Sequence, residues 1–284
     1  MRQISLLAVI LLMSAPLLAV DQYGYRVLER KPLGRENFVQ GLEIVGNHLY
    51  LSSGLYGQSR LRRYDFDTGQ LLLDRPLNPR LFAEGVTVLG DRVYQLTWRS
   101  QLGLIYLRDS LTPHQLFQIP GEGWGLTNDG KQLIYSDGSA QLYFVDPDAM
   151  TLTRTLAVTE NGSPLPLLNE LEWIDGRVWA NVWRSNRLVV INPETGAVEA
   201  SISLQGLLSP EEYQADTDVL NGIALDQRDG SIWVTGKRWP WLYRIERLPR
   251  DSDAASPAAE SAPPLLARPP GNHPTPIQSN PDSR

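Results

Sequence analysis

The 284 residues contain no cysteine and three histidines, and they carry a net charge of −6. That composition excludes disulfides, iron–sulfur clusters, zinc–thiolate sites and a cysteine nucleophile. It also offers no basic face for nucleic acid. A histidine-centred site is disfavoured, because His48, His114 and His273 fall in a predicted turn, a loop and the tail.

Residues 1–19 combine one early cation (Arg2), an apolar run from Ile4 to Met13 and a small residue at Ala19. This is the pattern of a secretory signal peptide, and the run is too short for a comfortable membrane span. The expected location is therefore the periplasm or the cell exterior, with no membrane attachment after cleavage. Residues 251–284 are rich in Pro, Ala and Ser without apolar periodicity. Such a stretch buries too little surface to offset its ordering entropy and is read as disordered. Residues 20–250 between them are enough for one large β-domain, expected to be monomeric.

Five segments of that domain open alike: Gln40-Gly41-Leu42-Glu43, Glu84-Gly85-Val86-Thr87, Trp124-Gly125-Leu126-Thr127, Asn169-Glu170-Leu171-Glu172 and Asn221-Gly222-Ile223-Ala224. Their first residues lie 40 to 52 positions apart. Each leads to a hairpin turn built on Gly, Asn or Asp, which tolerate positive φ. A second strand follows, with an aromatic at a fixed place: Tyr50, Tyr94, Tyr135, Trp179 and Trp233. A third strand and, in most units, a weaker fourth strand complete the repeat. Four-stranded repeats of this length predict an all-β, five-bladed β-propeller with antiparallel blades. The fifth repeat lacks its fourth strand, and Tyr25 to Glu29 lies spare before the first. The N-terminal strand is expected to pair with the last blade and close the ring, which removes exposed edges. A β-sandwich would not account for the even period.

Inner strands of a propeller line its central channel, so residues at one repeat position form a ring. The opening position reads Gln40, Glu84, Trp124, Asn169 and Asn221. Four residues after the second-strand aromatic stand Gly54, Trp98, Ser139, Trp183 and Lys237. Gln40 and Asn221 suit a water-binding structural role equally well. Trp173, Trp179 and Trp233 read as core, and Trp239 and Trp241 as loop or blade packing. Glu43 and Glu172 receive no role. One carboxylate, amides, a lysine and three tryptophans thus converge at one mouth. An aromatic box excludes water around a small moiety. Glu84 can shuttle a proton, and Lys237 and the amides can stabilise a polarised carbonyl. With no activated nucleophile, the chemistry suits an intramolecular attack that needs mainly positioning.

At these residues the sequence resembles the plant and bacterial glutaminyl cyclases, a five-bladed propeller family. The matching pieces include Phe38-Val39-Gln40-Gly41-Leu42, Gly54-Leu55-Tyr56-Gly57, Phe82-Ala83-Glu84-Gly85, Glu122-Gly123-Trp124-Gly125, Ala180-Asn181-Val182-Trp183 and Thr235-Gly236-Lys237. They span all five repeats. The resemblance implies cyclisation of N-terminal glutamine of peptides to pyroglutamate with release of ammonia. It implies site residues at Phe38, Gln40, Phe82, Glu84, Trp98, Trp124, Asn169, Trp183 and Lys237. Glu84 would move the proton from the α-amine to the leaving ammonia. Asn169, Gln40 and Lys237 would orient and polarise the γ-carboxamide, and the aromatic residues would enclose the side chain. It implies no catalytic metal or other cofactor and leaves room for a structural cation such as calcium. Where the family has Glu-Ser-Thr before Gly-Leu-Tyr-Gly, this chain has Leu51-Ser52-Ser53. The alternative is a calcium-dependent lactonase-type propeller with Glu84, Asn169 and Asn221 as oxygen ligands, against which Lys237 and the tryptophans argue. A scaffold propeller would have no need of this ring.

Overall fold

The computed structural model describes residues 19–250, so the expected signal segment and the expected disordered tail lie outside the described residues, apart from Ala19. Five four-stranded units follow one another in space. The first runs through Val39–Val45, His48–Ser53, Arg60–Asp65 and Leu71–Pro76. The second comprises Ala83–Leu89, Arg92–Thr97, Leu102–Leu107 and Thr112–Gln118. The third comprises Leu126–Asn128, Leu133–Ser136, Gln141–Asp146 and Thr151–Ala157. The fourth comprises Leu168–Ile174, Arg177–Val182, Arg187–Ile191 and Val198–Ser203. The fifth takes Leu220–Asp226, Ser231–Gly236 and Trp241–Pro249 and borrows the N-terminal strand Asp21–Pro32.

The inner strands touch in a closed cycle. Val39–Val45 meets Ala83–Leu89, which meets Leu126–Asn128, then Leu168–Ile174, then Leu220–Asp226, which returns to Val39–Val45. The apolar core divides accordingly into five clusters, one at each blade interface. The repeated aromatics Tyr50, Tyr94, Tyr135, Trp179 and Trp233 are all buried within these clusters. Each buried large side chain is worth roughly 1.5–3 kcal/mol, so the interfaces hold the ring together without covalent staples.

The N-terminal strand closes the fifth blade as expected, antiparallel to the last strand, with Tyr25 opposite Arg247 and Lys31 opposite Leu242. It also does something the repeat pattern did not predict. Asp21, Gln22 and Tyr23 pair in parallel with Ala200, Ser201 and Ile202 on the outer strand of the fourth blade. The fourth and fifth blades thereby become one eight-stranded sheet. A short hairpin, Thr159–Glu160 with Ser163–Pro164, was likewise not anticipated.

Glycines after the ring position let inner strands approach closely. A Cβ on Gly85 would sit 2.4 Å from the backbone nitrogen of Leu126. In the fourth blade this place is taken by Glu170, whose carboxylate reaches out instead. It accepts the backbone N–H of Leu42 (3.1 Å) and of Ile223 (2.8 Å), joining the first and fifth blades. Glu43 and Glu172 similarly accept from Val88 and Leu225.

Candidate active site

The opening residue of four inner strands sits at a break in register. The pairing shifts between Val39 and Gly41, Ala83 and Val86, Leu168 and Leu171, and Leu220 and Ile223. Gln40, Glu84, Asn169 and Asn221 occupy those breaks. Such bulges re-aim a side chain out of the alternating pattern, and here they gather polar groups at one end of the channel. In the third blade Trp124 precedes the strand altogether.

A second regularity brings the other ring alongside. The N–H groups of Gly54, Trp98, Trp183 and Lys237 donate to the carbonyls of Phe38, Phe82, Leu167 and Val219. Each acceptor lies two residues before the opening position of its own blade. This register sets Phe38 and Phe82, which the repeat alignment does not reach, beside Gly54 and Trp98. The place two before the ring is itself a ring, read as Phe38, Phe82, Glu122, Leu167 and Val219.

The floor is polar and buried. Gln40, Glu84, Asn169 and Lys237 are each 5% exposed or less. Gln40 Nε2 donates to Glu84 Oε1 at 3.0 Å. Asn221 Nδ2 donates to Val39 O (3.0 Å) and Gln40 Oε1 (3.3 Å), which gives Asn221 a structural role. Burial pushes the Glu84 carboxyl well above its ordinary range; the Lys237 charge pulls it part of the way back, and the Glu122 charge pushes it up further. Burial lowers the Lys237 ammonium, against the charges of Glu84 and Asp218. Asn169 is held by its backbone, whose carbonyl accepts the Ser136 hydroxyl at 2.7 Å. Its Oδ1 is buried without a hydrogen-bond partner. Leaving such an atom unmade costs about 1–3 kcal/mol.

The walls are aromatic and half-buried. Phe38 meets Phe82 edge-on at 6.2 Å, and Phe82 meets Trp98 at 5.5 Å. Trp124 and Trp183 meet edge-on at 5.3 Å. Lys237 Nζ lies 5.1 Å from the Phe38 ring centre. Gly54 is small because Phe82 fills its space; a Cβ there would come within 2.4 Å of Cε1. Tyr56 packs against Phe82 at 5.3 Å, and Glu122 accepts the indole N–H groups of Trp98 and Trp124; the sequence reading singles out neither. Each lay inside a quoted motif but off the two ring positions. Among the described residues no group of three or more His, Cys, Asp or Glu side chains could hold a metal ion.

Residues 3–247 match the family model described as glutamine cyclotransferase. The chain belongs to the glutamine cyclotransferase family. It is 40% identical over 226 residues to the glutaminyl-peptide cyclotransferase of Arabidopsis thaliana, covering 78% of this chain and 70% of that protein. Among solved structures it is similar to the glutaminyl cyclase of Myxococcus xanthus, with a TM-score of 0.76 and 31% identity over 82% of this chain and 100% of that one. The lactonase-type alternative is not favoured: the family model, the Arabidopsis relative and the Myxococcus structure all point to glutamine cyclisation.

Proposed function

We propose that the chain converts the N-terminal glutamine of peptides to pyroglutamate and releases ammonia. The α-amine nitrogen attacks the γ-carboxamide carbon, and a C–N bond forms to close a five-membered lactam. The bond from that carbon to the amide nitrogen breaks, and the nitrogen leaves as ammonia. Glu84 takes the proton from the attacking amine and passes it to the leaving nitrogen, so no net proton is consumed. Burial keeps Glu84 a strong enough base to accept that proton and, once protonated, an effective donor. Lys237 stabilises the charge that develops on the carboxamide oxygen. Asn169 offers Oδ1 to an N–H of the substrate. Gln40 is bonded to Glu84, which supports a role in holding the acid rather than in polarising the carboxamide. Phe38, Phe82, Trp98, Trp124 and Trp183 enclose the side chain and favour the folded reactive conformer.

The observation that carries this reading is a buried Glu84, bonded to Gln40 at 3.0 Å, together with a buried Lys237, 5.1 Å from the Phe38 ring centre of the aromatic wall, in a chain of this family. The test is incubation with a peptide beginning in glutamine. Mass loss of one ammonia, absent when the α-amine is acetylated, supports it; an unchanged peptide overturns it. The proposed reaction draws on no metal, so prior treatment with a chelator leaves the rate unchanged.

Export to the periplasm or exterior and a monomeric state complete the proposal. The Arg2 and apolar pattern of the N-terminal residues supports the first. Among the described residues no helix is long and apolar enough to cross a membrane. N-terminal sequencing of the protein recovered from the host's exported fraction tests the first expectation, and light scattering tests the second.

A further inference from the structure

Glu122 holds the third blade's place in the ring that carries Phe38 and Phe82, yet it is a carboxylate. Its Oε2 accepts the indole N–H of Trp98 at 2.7 Å and the indole N–H of Trp124 at 3.0 Å. Its Oε1 accepts Arg99 Nε at 2.9 Å, and the Arg99 guanidinium lies 3.9 Å over the Trp98 ring. One side chain therefore ties together indoles from two blades. Partial burial pushes the Glu122 carboxyl up, but hydrogen bonds from Trp124, Arg99 and Trp98 outweigh it and hold the group below its ordinary value. Hydrogen bonds to an ionised acceptor are roughly twice as strong as neutral ones. Trp124 is fixed on two further sides: its edge meets Trp183, and its six-membered ring lies where a Cβ on Gly138 would come within 2.7 Å.

We propose that Glu122 is a positioning residue for the cyclisation, an anionic clip that locks Trp98 and Trp124 in the orientation that folds the glutamine side chain back onto its own amine. The inference rests on the functional reading above. It differs from mere blade packing in what it demands: both indoles must turn when the acceptor is weakened, and turnover must fall with them. A purely structural carboxylate would change stability and leave the box intact.

The experiment uses the full chain labelled with 15N-indole tryptophan, with resonances assigned through W98F and W124F. In the folded wild type the indole N–H signals of Trp98 and Trp124 stand downfield. In E122Q, nearly isosteric and the variant of choice if E122A fails to fold, both move upfield. kcat falls roughly 10- to 100-fold, the scale of a misplaced substrate, while KM changes less. E84Q lowers turnover by about 10²–10⁴-fold and leaves both resonances in place. The inference is overturned if the two resonances stay put in folded E122Q, or if they move and kcat does not. Failure of the wild type to release ammonia would instead defeat the functional reading, with the resonances still deciding whether the clip exists.

Discussion

Gln40 Nε2 and Glu84 Oε1 are joined by a 3.0 Å hydrogen bond that crosses from the first blade to the second. In the proposed reaction the other carboxylate oxygen handles the proton, in a site where burial favours the protonated form. E84Q keeps the volume and removes the proton shuttle. Turnover should fall by about 10²–10⁴-fold, the usual worth of general acid–base catalysis. The far-UV circular dichroism and melting temperature should stay close to wild type. Turnover within a few-fold of wild type would remove Glu84 from its assigned role.

Lys237 must be charged to stabilise an oxyanion, and burial lowers it from 10.5. The wild-type kcat should therefore decline as pH rises, with a midpoint below that value. K237M should lose about 10²–10³-fold, as other oxyanion-stabilising donors do. Its residual rate should lack the alkaline decline. A pH–rate series on the two proteins checks both statements.

Asn169 Oδ1 costs stability in the free protein, because it is buried and unpartnered. N169L should melt at or above the wild-type temperature while losing about 100-fold in kcat/KM. Loss of stability together with activity would place Asn169 in the scaffold instead.

Burial lifts the Glu43 carboxyl to about 7, against opposing hydrogen bonds from Thr87 and Val88. Unfolded, the group titrates near 4.5, so the folded chain binds the proton more tightly. Its contribution to stability is complete below 4.5 and is lost as pH rises through about 7. Glu170 and Glu172 are shifted in the same direction by burial. The melting temperature should drop between about pH 5 and about pH 8, and E43Q should flatten that slope. A slope of the opposite sign would contradict the assigned burial.

Two glycines test wall and frame separately. G85A sets a Cβ against backbone, at 2.4 Å from Leu126 N, and should cost about 1–3 kcal/mol in denaturant unfolding. G54A sets a Cβ against a ring edge, at 2.4 Å from Phe82 Cε1. That ring can tilt, so G54A should lose kcat/KM more than stability.

The repeat was legible because each blade must present the same pattern to its neighbours. Tyr50, Tyr94, Tyr135, Trp179 and Trp233 mark it directly, and five clusters follow from it. The ring of Gln40, Glu84, Trp124 and Asn169 was legible for the same reason. The register breaks that aim those residues were not, since a bulge changes pairing without changing residue type. Glu43, Glu170 and Glu172 were left without a role because their partners are backbone N–H groups of other blades, which no side-chain pattern encodes. Glu122 was passed over because it stands two residues before Trp124, at a place the repeat alignment did not read.

The clasp between Asp21–Pro32 and Trp241–Pro249 has a temporal meaning. Among the described strands, the one synthesised first has as its antiparallel partner the one synthesised last. A nascent chain must carry residues 24–32 of that opening segment unmatched until Trp241–Pro249 has been made. Contacts of such long sequence separation also form slowly. A product truncated before Trp241 would hold two raw sheet margins open to any passing strand, so synthesis of Trp241–Pro249 is itself the quality check on the circle.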